Sequence, residues 1–413
     1  MKRFVCIFCS VLLLLSMTLG LSACGAVKPR DLTQGVSART PVVTADPALT
    51  NAAATDFALR LFLAEQKAGE NTLVSPLSVL CALAMTANGA QGETREQMEN
   101  VLGMKAEVLN DYLYTYLRSL KEADALHLAN SIWFTDDPRF TVNGDFLQTN
   151  ADYYGADLYK APFNDTTCKA INDWVKERTH GMIPRILDKI PPAAVMYLVN
   201  ALAFEAQWEE AYTDIQVREG EFTTETGQKK TVAFMSGTEY AYLETAKATG
   251  FMKYYDGRQY AFAALLPNEG VTVQDLLNAL NGAELHELLT HPREVLVETM
   301  LPKFEADYDA ELSETLKAMG MPLAFDEEAA DFSALGTSEA GNIYISRVLH
   351  KTFISVAEEG TRAGAATVVE MNEGAMLIED LKTVTLDRPF VYILVDMETG
   401  TPFFIGTMMD PAA

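Results

Sequence analysis

The chain has 413 residues, of which 49% are hydrophobic and 22% are charged, so it has ample apolar material for a large globular domain and does not resemble a disordered protein. Its 57 acidic residues outnumber its 32 basic residues, which gives a formal net charge of −25. This balance argues against a nucleic acid or a heparin-like cofactor as a partner, because both are polyanions.

The N-terminus has the pattern of an export signal. Lys2 and Arg3 precede an apolar run through Leu19, and the sequence Leu-Ser-Ala-Cys then ends at Cys24. The apolar run is too short and wrongly flanked for an ordinary membrane-spanning helix. We expect residues 1–23 to be a lipoprotein signal peptide, removed before a Cys24 that carries a lipid; a plain signal peptide cut nearby is the alternative. Either way, we predict export to the bacterial cell surface or the extracellular space.

Residues 25–50 mix Pro, Thr, Ala and Gly with scattered charges and show no apolar periodicity, which is typical of a tether. We therefore predict that residues 24–50 are the lipidated cysteine and a flexible tether, and that residues 51–413 form one domain. Cys81 and Cys168 are then the remaining thiols, so one disulfide is possible and a disulfide framework is excluded.

The first part of the domain is predicted to be rich in helices. Ser75 and Pro76 have the pattern of a helix start, with an N-cap followed by proline at the first helical position. Thr94 and Gln97 have the spacing of a capping box, which predicts the start of the next helix.

Strands are predicted to follow the helices. In residues 126–134 alternate positions are expected to face one side, and residues 195–204 are apolar almost throughout, as in a strand covered on both faces. Residues 343–356 also have a strand pattern, and the chain closes with two apolar runs around a turn at 397–400, which predicts a hairpin. Helices mixed with long antiparallel strands indicate an α+β fold.

The sequence indicates no catalytic or metal site. His286 and His291, in HELLTH, lie five residues apart and therefore about 140° apart around a helix, whereas the zinc-protease motif has a four-residue spacing. Beyond the predicted signal peptide, which contains Cys6 and Cys9, there is no G-x-S-x-G, P-loop, G-x-G-x-x-G or C-x-x-C motif, and nothing singles out a Ser-His-Asp triad. We expect core or surface histidines, no metal, no cofactor and no enzymatic activity.

Residues 358–370, EEGTRAGAATVVE, have features of both a loop and a strand. Two acids and Gly360 open the segment like a turn, and its small side chains suit a flexible loop. Its charges at Arg362 and Glu370 nevertheless share one parity, as on the wet face of a half-buried strand. The opposite parity comprises Thr361, Ala363, Ala365, Thr367 and Val369.

This segment resembles the hinge and reactive-centre loop of the serpins. The resemblance extends in order from about residue 51 to 411, through NTLVSPLSVLCALAMTANGAQGETREQM, INDWVKERTHGMI, YLVNALAFEAQWEEAY and the last third of the chain. It implies the serpin fold, with three β-sheets, eight or nine helices and an exposed reactive-centre loop at about residues 358–388. It also implies a metastable monomer whose starting fold lacks a central strand.

The resemblance further implies an irreversible inhibitor of a serine protease. In inhibitory serpins the protease cleaves the loop, and the hinge then inserts as a strand into the main sheet while the protease is still a covalent acyl-enzyme. Non-inhibitory relatives typically have bulky, charged or proline residues at inward hinge positions, and none occurs here. Arg362 and Gly364 depart from the family pattern, but on the outward parity. The implied hinge comprises Glu358, Glu359, Gly360, Thr361, Arg362, Ala363, Gly364, Ala365, Ala366 and Thr367.

Other positions match parts of the family that move during insertion. Trp208 matches the breach, where the loop enters the sheet. The shutter, a polar cluster beneath the strands that must part, is matched by Ser75, Ser78, Asn200 and His350.

The family's spacing places the scissile bond at Gly374-Ala375. The loop is about four residues longer than usual, so three later bonds are alternatives. They are Ala375-Met376, Met376-Leu377 and Leu377-Ile378. These side chains are small or apolar and no Lys or Arg lies between residues 362 and 382, so we predict an elastase-, subtilisin- or chymotrypsin-like target.

Two alternatives stay open at this point. One is a non-inhibitory serpin-fold protein that acts as a protease substrate or binding protein, which the acidic loop permits through Glu370, Glu373, Glu379 and Asp380. The other is a lipid-anchored solute-binding protein or hydrolase, which rests on the export signal and domain size alone.

Overall fold

The computed structural model describes residues 29–122, 125–190, 194, 196–339, 341–361 and 381–412. Nine α-helices lie in these ranges. They are α1 (Pro47–Glu65), α2 (Pro76–Ala87), α3 (Gly92–Leu102), α4 (Ala106–Glu122), α5 (Gly144–Tyr154), α6 (Asp165–Arg178), α7 (Val273–Leu277), α8 (Gly282–Thr290) and α9 (Ser313–Met319).

The same ranges contain nineteen strands. They are β1 (Arg30–Asp31), β2 (Thr72–Val74), β3 (Leu126–Thr135), β4 (Phe140–Val142), β5 (Asp157–Ala161), β6 (Met196–Phe204), β7 (Ala206–Gln207), β8 (Val217–Thr223), β9 (Lys229–Glu244), β10 (Ala248–Tyr254), β11 (Tyr260–Pro267), β12 (Arg293–Pro302), β13 (Phe304–Glu311), β14 (Gly336–Ser338), β15 (Val348–Val356), β16 (Gly360–Thr361), β17 (Lys382–Thr385), β18 (Phe390–Asp396) and β19 (Pro402–Met408).

In the described part of the chain these strands form three sheets. The main sheet has eight strands in the order β1-β5-β3-β6-β15-β16-β7, with β13 paired to β15. The second sheet has nine strands in the order β17-β12-β9-β10-β11-β18-β19-β2, with β8 paired to β9, and the third sheet pairs β14 with β4. Three sheets and nine helices confirm the predicted serpin fold and its α+β class.

Strand β6 is buried on both faces, as its continuous apolar sequence predicts. Leu198, Leu202 and Phe204 point into the large core cluster, and Tyr197 and Val199 point into a second cluster on the opposite face. That second cluster includes side chains from α6, which covers this face of the main sheet. A strand in this position tolerates few polar side chains, which explains the sequence pattern.

The helix starts differ in detail from the sequence prediction. Ser75 occupies the N-cap position of α2, but its side chain makes no capping hydrogen bond. The capping box predicted for Thr94 and Gln97 is wrong, because α3 already begins at Gly92. The Thr94 hydroxyl instead accepts a hydrogen bond from the backbone N–H of Asp331 at 3.0 Å. The side chain predicted to cap α3 therefore binds a loop that is distant in sequence.

The strand predicted for residues 343–356 is shorter in the structure. It begins at Val348, because the preceding residues pack against the short 3-10 helix Pro322–Phe325. The N–H of Ile345 donates to the carbonyl of Ala324 at 2.9 Å, and the Ile345 side chain is buried. The predicted C-terminal hairpin is confirmed as the antiparallel pair β18 and β19.

Residues 29–46 differ from the flexible tether that their composition predicts. Arg30 and Asp31 form β1 at the edge of the main sheet, and the Arg39 guanidinium binds the Asp152 carboxylate on α5. The N–H of Thr44 donates to Asp111 on α4 at 2.7 Å. Long-range polar contacts of this kind leave no local periodicity in the sequence, which is why the pattern did not reveal them.

The two thiols expected to remain after export are separate. Cys81 and Cys168 are both free and buried, and they belong to different core clusters, so the disulfide that the sequence allowed is not formed. Within the described ranges, no helix combines the length and the apolar character needed to cross a membrane.

Candidate functional site

As far as the described residues show, the main sheet is open between its two central strands. Strands β6 and β15 run parallel and pair only through residues 198–201 of β6 and 348–351 of β15. Further along, among the described residues, no strand lies between residues 202–204 of β6 and residues 352–355 of β15. We call this space the slot. Backbone groups that face an unfilled gap in a sheet can accept one more strand.

The described part of the predicted hinge, residues 358–361, lies at the mouth of the slot. Thr361 pairs with Val356 of β15 on one side and with Ala206 of β7 on the other, both antiparallel. Its side chain is fully buried, and its hydroxyl lies 2.6 Å from the phenol oxygen of Tyr255. Thr361 is the first position of the set expected to face inward, and it does face inward.

Glycine is required at position 360. A Cβ atom on Gly360 would lie 2.1 Å from the carbonyl oxygen of Ala206, well inside any normal contact distance. The tight turn at the start of the hinge brings Gly360 close to Ala357, whose N–H donates to the Gly360 carbonyl at 3.0 Å. Only a residue without a side chain lets the hinge approach β7 this closely.

The two acidic residues of the hinge are fixed through their backbone. The N–H of Trp208 donates to the Glu359 carbonyl and the N–H of Tyr212 donates to the Glu358 carbonyl, each at 2.9 Å. The Glu358 carboxylate also accepts a bond from the Lys303 ammonium at 2.6 Å. Burial tends to raise the pKa of Glu358, but hydrogen bonds from Lys303 and the backbone outweigh it and lower that pKa overall.

Trp208, the predicted breach residue, lies directly beneath this turn. Its indole N–H donates to the Ala357 carbonyl at 2.9 Å, and its ring stacks on Tyr255 with the centroids 4.4 Å apart. The ammonium of Lys253 lies 5.5 Å from the centre of the Trp208 ring. Trp208 therefore connects the residue before the hinge, Ala357, to Tyr255 and to Lys253 on β10.

A buried ion pair supports the breach, and the sequence analysis did not identify it. Lys253 on β10 donates to Glu239 on β9 at 2.9 Å, and the two side chains are only 5% and 12% exposed. Burial raises the pKa of Glu239, with the charge of Lys253 opposing that shift. The sequence did contain one signal of this pair. Lys253 alternates with Phe251 and Tyr255, so it lies on a buried strand face, where a lysine needs an acidic partner.

Two of the predicted shutter residues, Ser75 and His350, are in contact at the base of the slot. His350 on β15 is 1% exposed, and its Nε2 atom accepts a hydrogen bond from the N–H of Ser75 at 3.1 Å. Nε2 therefore carries a lone pair and the proton of the neutral ring is on Nδ1. Burial lowers the pKa of His350 to about 4. The imidazole is neutral at physiological pH, as this hydrogen bond requires.

The remaining shutter residues are placed less fully. The hydroxyls of Ser75 and Ser78 are buried and have no hydrogen-bond partner among the described residues. Asn200 pairs with His350 and Asn130 through the backbone register, but its side chain lies outside what the structure describes.

Several predicted site residues lie outside the described ranges. These are the hinge residues 362–367, the five candidate residues 374–378 around the scissile bond, and the lipidation site Cys24. His286 and His291 both lie at α8, where His286 contacts Thr55 and His291 is exposed. No cluster of three or more His, Cys, Asp or Glu side chains suited to a metal ion occurs in the described residues.

Comparisons of the sequence with known proteins agree with this geometry. The model of the serpin (serine protease inhibitor) family matches residues 52–411. An uncharacterized serpin-like protein of Thermococcus kodakarensis is 31% identical over 363 residues, which cover 84% of this chain and 83% of that protein. The leukocyte elastase inhibitor of Bos taurus is 30% identical over 383 residues, which cover 87% of this chain and 99% of that protein.

Comparison with solved structures also distinguishes two conformations. The thermophilic serpin tengpin in its native state is 44% identical, has a TM-score of 0.88 and covers 93% of this chain and 100% of its own. Tengpin in its latent state, at 43% identity and coverage of 90% and 100%, has a lower TM-score of 0.78. The present conformation is therefore closer to the native state of that relative than to its latent state.

Proposed function

Because the chain belongs to the serpin family, we propose that it is an irreversible inhibitor of a serine protease and not a catalyst. The observation that carries this proposal is the slot, with the fully buried Thr361 seated at its mouth. A strand that followed Thr361 would find on each side a strand edge, residues 202–204 of β6 and 352–355 of β15, that pairs with no other described strand. The small residues of the hinge fit such an insertion, since they add little volume to a packed sheet.

The proposed mechanism couples one covalent step to strand insertion. The serine oxygen of the protease attacks a loop carbonyl, the peptide C–N bond breaks, and the leaving amine takes up the proton from the serine. The N-terminal part of the loop is now held to the protease by an ester. Insertion of the hinge into the slot must occur before water hydrolyses that ester, so the outcome depends on the relative rates of the two steps.

The proposed target has a specificity pocket for small or apolar side chains. The best candidate for the scissile bond remains Gly374-Ala375, and all of the alternatives up to residue 378 are also small or apolar. The likeness to a relative named leukocyte elastase inhibitor supports the same class. An elastase-, subtilisin- or chymotrypsin-like enzyme is therefore expected to react, and a trypsin-like enzyme is not.

The proposal is tested by incubating residues 29–413 with one protease of each of these four classes, followed by denaturing gels. An adduct that survives denaturation, with a released C-terminal peptide that begins between Ala375 and Ile378 by mass spectrometry, is the expected result. Cleavage in the loop with no adduct would favour the non-inhibitory alternative. No cleavage of the native protein by any protease would contradict both.

A matched pair of hinge variants tests whether the slot is responsible. Thr361→Arg places a charge where the native side chain is fully buried, so we expect loop cleavage to continue while the adduct falls at least about tenfold. Thr361→Ser keeps the hydroxyl that meets Tyr255 and should retain the adduct. Equal adduct yields from the two variants would show that entry at Thr361 is not needed.

The location of the inhibitor is part of the same proposal. Export, cleavage before Cys24 and a lipid on that thiol would hold a monomeric inhibitor at the bacterial surface, where it meets external proteases. Mass spectrometry of the N-terminal peptide of the mature protein tests the lipid, and light scattering of the detergent-free domain tests the monomer. An unmodified N-terminus downstream of Cys24 would refute the anchor and leave the inhibitory proposal unaffected.

A further inference from the structure

The chain that precedes α1 is bound to one corner of the main sheet. Arg30 and Asp31 pair antiparallel with Lys160 and Tyr159 of β5, and the N–H of Leu32 donates to the carbonyl of Leu158 on the same strand at 2.7 Å. Arg30, which is held in this pairing, lies six positions after Cys24 in the sequence. The lipid proposed for Cys24 would thus be joined to a definite point on the sheet.

The strand register shows where this point lies relative to the slot. Lys160 is opposite Phe134 on β3, and Phe134 is opposite Met196 at the start of β6. We call the end of the sheet marked by these residues and Arg30 the anchor end. Ala206, which pairs with Thr361, lies ten residues beyond Met196, so the hinge is roughly 30 Å away along the strand direction.

We call the opposite end of the sheet, marked by Ala206, Thr361 and Val356, the hinge end. Strand β6 runs toward the hinge end, so β3, which is antiparallel to it, and β5, which is parallel to β3, both run toward the anchor end. Strand β1 is antiparallel to β5 and runs toward the hinge end. The residues that precede Arg30 therefore leave the sheet at the anchor end and away from the hinge.

The tether is too short to let the domain turn over freely. Six Cα-to-Cα steps separate residue 24 from residue 30, which at full extension span no more than about 20 Å. We propose that the mature protein stands on the membrane with its anchor end against the lipid surface and its hinge end pointing outward. This inference rests on the lipid on Cys24, and it adds the orientation of the site to the proposed function.

The distribution of charge favours the same orientation. The hinge end carries five carboxylates close to the slot, from Glu205, Glu209, Glu210 and the two glutamates of the hinge, and two cations paired with them, Arg258 with Glu209 and Lys303 with Glu358. Anionic headgroups repel such a surface. The anchor end carries cationic side chains as well as acidic ones: Arg30, Lys160, and Arg139, which pairs with Asp137. A protein with a net charge of −25 is best held on an anionic membrane by this mixed end.

The orientation defines which proteases can reach the loop. A hinge held roughly 30 Å farther from the lipid than the tether is exposed to enzymes that arrive from the surrounding medium. A protease embedded in the same membrane, with its active site at headgroup level, would face the anchor end instead. The partner that fits this geometry is therefore a water-soluble protease.

The orientation is measured by energy transfer from the protein to the membrane. The full lipidated chain is added to preformed vesicles of phosphatidylethanolamine and phosphatidylglycerol that contain a headgroup-labelled acceptor lipid. A donor dye is attached to a single new cysteine, Asp136→Cys at the anchor end or Glu210→Cys near the hinge end, both at exposed positions. The native thiols Cys81 and Cys168 are buried and should not take the dye.

We expect at least twofold more efficient transfer from position 136 than from position 210. Equal transfer would show that the domain tumbles on its tether, and stronger transfer from position 210 would show that it stands the other way up; either result overturns the proposal. Failure of both labelled proteins to bind vesicles would overturn the anchor itself. Thermal unfolding of each variant before labelling checks that the substitution has not disrupted the fold.

A third variant tests the role of β1. Leu32→Pro removes the N–H that bonds β5, which releases β1 and lengthens the tether. The difference between the two dye positions should then become smaller, and an unchanged difference would show that β1 does not set the orientation. No protease is present in these measurements, so the orientation can fail while inhibition holds, and the reverse.

Discussion

His350 is expected to make the native state sensitive to mild acid. Because burial holds the pKa of His350 at about 4, below the value of 6.5 for an exposed histidine, the unfolded chain takes up a proton that the native state does not. The resulting stability is therefore fully present above pH 6.5 and is lost as the pH falls from there toward about 4. Acidification from roughly pH 7.5 to 5 should cost about 2 kcal/mol through this one group.

The structure gives a second reason why protonation of His350 should destabilise the native state. An imidazolium ring has no lone pair at Nε2, so a protonated His350 could not accept the bond from the N–H of Ser75. That donor would be left buried without a partner beneath the slot. Carboxylates whose pKa is lowered, such as Asp137 and Asp152, respond only at lower pH, which separates their effect from that of His350.

The assay compares the native protein with His350→Gln, whose side-chain oxygen can accept from Ser75 but does not titrate. The first unfolding transition in urea is followed by tryptophan fluorescence across this pH range, and its midpoint is converted to free energy through the slope of the transition. The native protein should lose about 2 kcal/mol more than the variant. If both lose the same amount, His350 is not the acid-sensitive group and the reasoning from its burial fails.

Two further substitutions test the breach. Tyr255→Phe removes the phenol that meets the Thr361 hydroxyl, so the first urea transition should reflect a loss of about 1 kcal/mol, and an unchanged midpoint would contradict this role. Lys253→Met leaves the Glu239 carboxylate buried without its partner and should cost about 3 to 5 kcal/mol. The matched control is Lys229→Met, an exposed lysine in an ion pair; a similar loss there would refute the special role of burial.

Patterns confined to one segment predicted much of the fold. The apolar run of β6 predicts its burial on both faces, and the turn at residues 397–400 predicts the hairpin of β18 and β19. The inward position of Thr361 likewise followed from the alternation of the segment and its resemblance to a hinge. In each of these, neighbouring residues along the chain carry the physical signal, which is either a period or a turn.

Features that depend on distant pairing could not be predicted from a single sequence. Lys253 on β10 meets Glu239 on β9 only because these two strands pair, with Met252 opposite Ala241, and neither segment alone indicates its partner. The contact of Tyr255 with Thr361 joins positions that are more than a hundred residues apart. The sequence did not predict the edge strand β1 for a related reason. A strand of two residues in a polar segment is too short to show an alternation of apolar and polar side chains.

If the chain is the lipid-anchored inhibitor proposed above, the antiparallel pairing of Thr361 has a mechanical consequence. If insertion continues the register that Thr361 begins opposite Ala206, each added residue advances toward Met196, and the ester-linked enzyme is drawn down the slot toward the lipid. The membrane surface would then block the movement of the attached protease. A bulky protease would have to tilt the whole domain or stall before insertion is complete, so the length of the tether would set an upper limit on the size of the enzymes that can be trapped.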